Sequence, residues 1–200
     1  MSLNELTRPT HFLLVDDDRL VLKTLTLGLQ QNGYRISNAE SCEEAEIFLA
    51  SGDRPDLVIL DIRMPGHSGL HLAERLKQLD HIPFVIFSAY SDQAMIDQSS
   101  QLGALAYLVK PMDIAKLIPS LVAAMARANE LHDLRVTRQQ LQAALDAERN
   151  INVAVGITMM QYHVKRSEAF DKLRNAARLR RCKLVDLAND IVQAGDAMSL

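Results

Sequence analysis

Proline is missing from residues 120–200, and glycine is scarce there: only Gly156 and Gly195 of the eight in the chain. All six prolines (Pro9, Pro55, Pro65, Pro83, Pro111 and Pro119) precede that point. Both residue types break helices, so the back of the chain is expected to be almost wholly helical. Cysteine is equally sparse. Cys42 and Cys182 stand 140 residues apart and form no metal or redox motif. That spacing excludes a disulfide scaffold and suits reduced thiols in a cytoplasmic chain. No apolar run reaches membrane-spanning length, and the first residues lack the basic-then-apolar pattern of a signal peptide. What remains, 200 residues at 48% apolar with net charge −3, can bury an ordinary core.

Charge changes where proline stops. Residues 1–119 carry 10 Lys/Arg against 16 Asp/Glu, net −6; residues 120–200 carry 12 against 9, net +3. An acidic front and a basic, helical back imply two modules with different partners.

Five apolar runs in the front read as strands: His11–Val15, Tyr34–Ala39, Asp56–Leu60, Phe84–Phe87 and Ala106–Val109. Helical spacing separates them. Leu20, Lys23, Thr24 and Leu27 open the first helical segment, and Ser41 with Glu44 forms a capping box for the second. Runs that are apolar throughout, rather than alternating, predict a doubly wound five-stranded parallel sheet covered on both faces, an α/β fold. Such sheets carry their sites at the carboxyl ends of strands. There the first strand ends in Asp16-Asp17-Asp18, the third in Asp61, the fourth in Ser88-Ala89 and the fifth in Lys110-Pro111. Clustered carboxylates repel one another unless a cation joins them, and oxygen ligands suit Mg²⁺. With Lys110 and Ser88 beside it, Asp61 could accept a phosphoryl group as an acyl phosphate. The loop after Asp61 holds Pro65, Gly66 and Gly69, and Asp18 reads as the N-cap of the first helix.

The acid pair, "LDIRMP", Ser88-Ala89 and "YLVKP" together resemble a response-regulator receiver domain over residues 10–125. The resemblance implies that Asp61 is the phosphoacceptor and that Asp16, Asp17, Asp61 and the backbone carbonyl of Arg63 hold Mg²⁺. It implies that Lys110 binds the phosphoryl group, with a cis peptide before Pro111. Ser88 takes the family's Ser/Thr switch position and Tyr107 the switch aromatic. A haloacid-dehalogenase-type phosphatase needs a second acid two residues after the nucleophile, where this chain has Arg63. The receiver resemblance implies a phosphoacceptor regulator served by a histidine kinase, with self-phosphorylation and slow self-dephosphorylation at Asp61 only, not an enzyme with a turnover substrate.

From Asp113 to about Gln161 the chain is one run of helix formers. Leu117, Leu121, Ala124, Ala128 and Leu131, then Leu134, Leu141 and Leu145 with Arg138 on the seam, suit a coiled coil with a slip near Leu131. Residues 113–145 are therefore expected to form a helical linker that continues the last receiver helix and pairs in a homodimer. Three short helices follow, the second beginning at Ser167 as N-cap and running through Arg181, with Phe170, Leu173 and Ala177 toward the core. Arg174, Arg178 and Arg181 make a basic stripe of the kind that binds phosphate backbones. "INVAVGITM", "SEAFDKLRNAARL" and "KLVDLANDI" resemble the ANTAR domain, an RNA-binding antitermination module, over residues 140–196. That implies a leader-transcript hairpin as the RNA partner. Gly156 is expected to allow close helix approach. Val155 departs from the family, which has lysine there. Two other outputs fit the same helices: a DNA-binding helix-turn-helix, against which the acidic third helix argues, or a protein-binding module.

Overall fold

The computed structural model describes residues 8–65, 69–89 and 92–197, with side chains through residue 194; the loop glycine Gly66 lies outside the described residues. The chain divides into two compact units, one through residue 131 and the other from residue 132.

In the first unit, five parallel strands, β1 (His11–Val15), β2 (Arg35–Ala39), β3 (Leu57–Leu60), β4 (Phe84–Ser88) and β5 (Tyr107–Val109), lie in the order β2-β1-β3-β4-β5. The strands start and stop within a residue of the apolar runs that specify them. β1, β3 and β4 are buried along their whole length because helices cover both faces. One core holds Leu13, Val58, Leu60 and Ile86 with Ala45, Leu72 and Leu76. The other holds Phe12, Leu14, Ile59, Val85 and Phe87 with Leu25, Leu29, Leu117 and Leu121. Strand order reverses between β1 and β3, so their carboxyl ends flank the crevice where doubly wound sheets bind ligands.

Helices α1 (Arg19–Gln31), α2 (Cys42–Ala50), α3 (Gly69–Arg75) and α4 (Gln93–Gln101) connect the strands. Asp18 caps α1, accepting from the Leu20 and Val21 N–H groups, and Ser41 caps α2 through the Glu44 N–H. The buried face of α1 is Leu22, Leu25 and Leu29, not the line through Leu20 and Leu27, which are 72% and 52% exposed. Two apolar stripes compete on this helix, and the one in step with Leu29 meets the sheet.

α5 runs unbroken from Ile114 to Tyr162, 49 residues, with Pro119 in its second turn. Its stripe divides in use. Leu117, Leu121 and Ala124 are consumed by the receiver core, so they belong to no coil. Leu134, Leu141 and Leu145 are more than half exposed.

In the second unit, α5 ends as His163 enters the left-handed region (φ 52°) and the Val164 N–H returns to the Met159 carbonyl. Val164 packs on the core, so α6 starts early, Arg166–Arg180 with Lys165 at the N-cap. Ser167 is inside the helix and caps nothing. Arg181 (φ 54°) is the left-handed residue after α6, and α7 spans Leu184–Ala197. Ala154, Val155, Ala169, Leu173, Ala177, Leu187 and Ala188 form the core. Two expectations fail here. Phe170 is 38% exposed and lies outside both the core and the side chains packed against it. A Cβ at Gly156 would meet nothing within 4 Å among the described residues, so that glycine serves no close packing between them.

Candidate phosphoacceptor site and output surface

β1 delivers Asp16 into the crevice while Asp18 turns away to cap α1. The Asp18 N–H donates to Asp16 Oδ1 at 3.1 Å, which orients the carboxylate, and Asp17 stays exposed between them. β3 delivers Asp61, whose N–H donates to the Val15 carbonyl at 2.8 Å and so locks the two strand ends together. Asp16 is 3% and Asp61 7% exposed. Carboxylate oxygens of Asp16, Asp17 and Asp61 lie within 4.8 Å of one another.

Both carboxylate oxygens of Asp61 are engaged. Oδ1 accepts from Ser88 Oγ at 2.9 Å and from the Arg63 N–H at 3.0 Å; Oδ2 accepts from Lys110 Nζ at 2.6 Å. The same ammonium donates to Asp16 Oδ2 at 2.6 Å, and the Lys110 N–H donates to the Ser88 carbonyl at 2.9 Å. The Lys110–Pro111 peptide is cis. Burial pushes Asp16 above its usual carboxylate range, against the hydrogen bond from Lys110. Burial alone would lower the Lys110 ammonium; the bonds to Asp16 and Asp61 outweigh it and raise it. Tyr107 is half-buried and its side chain hydrogen-bonds Ser88; burial, then the charge of Asp92, pushes its phenol up.

The structure therefore brings Asp16, Asp17, Asp61, Ser88, Tyr107 and Lys110 into one site. Arg63 joins through its N–H on Asp61. Two supports of the site are not evident from the sequence pattern. Ile62 and Met64 are buried and pin the loop on either side of Arg63. Gly69, which reads only as a loop glycine, starts α3 against the strand end: a Cβ there would sit 2.5 Å from the Asp61 carbonyl oxygen and 2.7 Å from Ile62 Cα. Glycine eight residues after a strand-end aspartate was the available signal.

Three carboxylates around a crevice, two of them buried and served by one ammonium, are what a receiver requires, and the comparisons agree. Residues 12–122 match the response regulator receiver domain and residues 139–192 the ANTAR domain. The chain belongs to the response regulator receiver family. A transcriptional regulatory protein, PdtaR, of Mycobacterium tuberculosis is 28% identical over 92% of this chain and 90% of its own length. Sporulation initiation phosphotransferase F of Bacillus subtilis is 35% identical over 52% of this chain and 85% of its own. Among solved structures, a putative response regulator from Chloroflexus aurantiacus is 31% identical with a TM-score of 0.55, covering 60% of this chain and 99% of that one. A receiver followed by an ANTAR domain is the architecture of aspartate-phosphorylated response regulators that act through RNA binding and antitermination, and it implies a histidine kinase and an RNA target. The acidic cluster fits a divalent cation of the receiver type. Among the described residues, no helix of this regulator is long and apolar enough to cross a membrane.

In the output unit Arg174 and Arg178 are exposed on α6 and make no ion pair among the described residues. Arg181 is exposed as well, but it follows the helix and does not extend its stripe. Val155 is 3% exposed within the three-helix core. The position where the family has lysine is a packing position in this chain, so no cation has been lost from an open surface.

Proposed function

We propose that this regulator accepts a phosphoryl group on Asp61 from a histidine kinase and conveys the change to an RNA-binding output unit in a cytoplasmic homodimer. The observation that carries the chemistry is the Lys110 ammonium, 2.6 Å from both Asp61 and Asp16. A carboxylate oxygen of Asp61 attacks phosphorus, the bond from phosphorus to the donor's nitrogen or oxygen breaks, and an acyl phosphate forms. Lys110 is placed to pair with the incoming phosphoryl oxygens, releasing its hold on the Asp61 carboxylate. Ser88, already donating to Asp61, would donate to the phosphoryl group instead, and its bond to Tyr107 supports reading those two as the switch pair. Mg²⁺, held by Asp16, Asp17, Asp61 and the Arg63 carbonyl, would neutralise charge on the transferring group.

Acetyl phosphate with Mg²⁺ should add one phosphate, labile to base and hydroxylamine. Asp61→Asn should abolish it; label persisting in that variant would remove Asp61 from the role.

The output reading rests on the exposed, unpaired cations of α6. Hairpin RNA should shift in a mobility assay with tRNA competitor, and duplex DNA should not. A shift by DNA alone would favour a DNA-binding output. The dimer reading rests on Leu134, Leu141 and Leu145, exposed along one line of α5.

A further inference from the structure

The buried line of α6 is Ala169, Leu173 and Ala177. The adjoining ridge, four residues apart at each step, is Arg166, Phe170, Arg174 and Arg178. Phe170 keeps 38% of its surface in water on a helix otherwise polar, which leaves part of its ring open to a contact outside the chain. Its neighbours on the ridge say which. The ridge is basic on both sides of the ring: Arg166, which donates to Asn152 Oδ1 at 2.8 Å, precedes it, and Arg174 and Arg178, without an ion pair among the described residues, follow it. A single strand of RNA matches that pattern: base faces stack on an aromatic ring while phosphates pair with arginine. The other exposed aromatic of this unit, Tyr162, has the Lys172 ammonium 5.3 Å from its ring centre. Lys172 lies two residues from Phe170, hence on another side of α6.

We propose that Phe170 is a stacking platform for an unpaired base of the target RNA, with Arg174 and Arg178 holding the adjacent phosphates. The proposal rests on the RNA reading above and supplies it with a base contact, which the arginine stripe alone does not.

The chain contains no tryptophan, so Phe170→Trp creates a single fluorescent reporter at the position in question. In the full-length protein its emission should be quenched by a hairpin RNA with an adenosine-rich loop. The same hairpin with abasic loop positions, or heparin as a plain polyanion, should leave it unchanged. Phe170→Leu should weaken binding of the looped hairpin about ten-fold or more, with binding of the abasic hairpin unaltered. If wild-type protein binds the looped hairpin but Phe170→Leu binds it equally and the tryptophan is silent, the stacking proposal falls and the RNA reading stands. If wild-type protein binds no hairpin at low salt, both fall. Should Phe170→Leu fail to fold, the tryptophan emission still decides.

Discussion

Two buried carboxylates a strand apart repel each other, and each carries a desolvation cost of several kcal/mol if left alone. Lys110 answers both at once, which is why it stays charged despite its own burial. Accepting a phosphoryl group must disturb that three-way pairing, so the loop that carries Asp61 has to be stiff. Gly69 is part of that stiffness. Gly69→Ala forces about an ångström of movement where a methyl would meet the Asp61 carbonyl oxygen. Acyl-phosphate formation from acetyl phosphate should slow about ten- to hundred-fold, while thermal unfolding shows a loss of roughly 1–3 kcal/mol. An unchanged rate would mean α3 slides without moving Asp61. At the other end of β1, His11 is 1% exposed; its Nε2 meets Ser37 Oγ at 2.9 Å, and its Nδ1 has no hydrogen-bond partner among the described residues, with Asp53 Oδ1 3.9 Å away. Burial, then the charge of Arg35, lowers its pKa, against Asp53 and Asp56. The unfolded chain therefore takes up a proton at higher pH than the folded one. Stability is complete above the unfolded value of about 6.5 and falls as pH drops through it toward the folded value. Urea midpoints at pH 7.5 and 5.5 should differ in the wild type and differ less in His11→Gln; an equal difference would clear His11 of the effect.

α5 shows how one helix serves two ends of a chain. Leu134, Leu141, Glu148 and Val155 follow one another at intervals of seven. The last is covered by its own chain and the first two are not. A second copy is the cover proposed for the leucines. Leu141→Glu should then weaken dimerisation at least about a hundred-fold, since burying a leucine is worth roughly 1.5–3 kcal/mol in each copy. Sedimentation equilibrium reads the change, and a variant that associates as wild type would exclude this face. Val155 offers the opposite test. Val155→Lys puts an ammonium where no partner waits, so the output unit should lose about 3 kcal/mol or more in urea unfolding, and hairpin affinity should drop. Tightened binding with full stability would show that the lysine reaches solvent. These cases also show how far the sequence could be read. The strands and the site were legible because apolar runs end in acids, Ser88 and Lys110 at fixed strand ends, a pattern that depends on local order alone. The working face of α1, the start of α6 and the place of Phe170 were not. α1 carries two apolar lines and only packing chooses between them. The left-handed turn at His163 moved the cap ahead of Ser167. An aromatic beside buried alanine defaults to core until the exposed ridge of arginines is seen. The close approach of Gly69 to the end of β3 was hidden for a similar reason: it exists only in three dimensions.

At the scale of the whole molecule, net charge opposes the proposed partner. The chain carries −3 in all, and its front carries −6. Transfer of a phosphoryl group to Asp61 adds further negative charge to that front. Long-range attraction to RNA must then come from the back, where residues 120–200 carry +3, and it must act locally, within a Debye length of about 8 Å at physiological salt. Such binding releases counterions, so the logarithm of affinity should fall linearly with the logarithm of salt concentration. Replacing Arg174 and Arg178 together by Ala should flatten that line by roughly one unit for each phosphate left without its arginine. Arg181→Ala should act separately, because Arg181 stands beyond the end of α6 and not on the ridge. Both variants leave the receiver untouched, so labelling of Asp61 by acetyl phosphate should be normal in each, and an unchanged helical circular dichroism spectrum is the control for folding of the output unit. A double variant with the wild-type slope would mean that the ridge is merely solvated. The RNA-binding cations would then have to be sought elsewhere among the eight between residues 165 and 183.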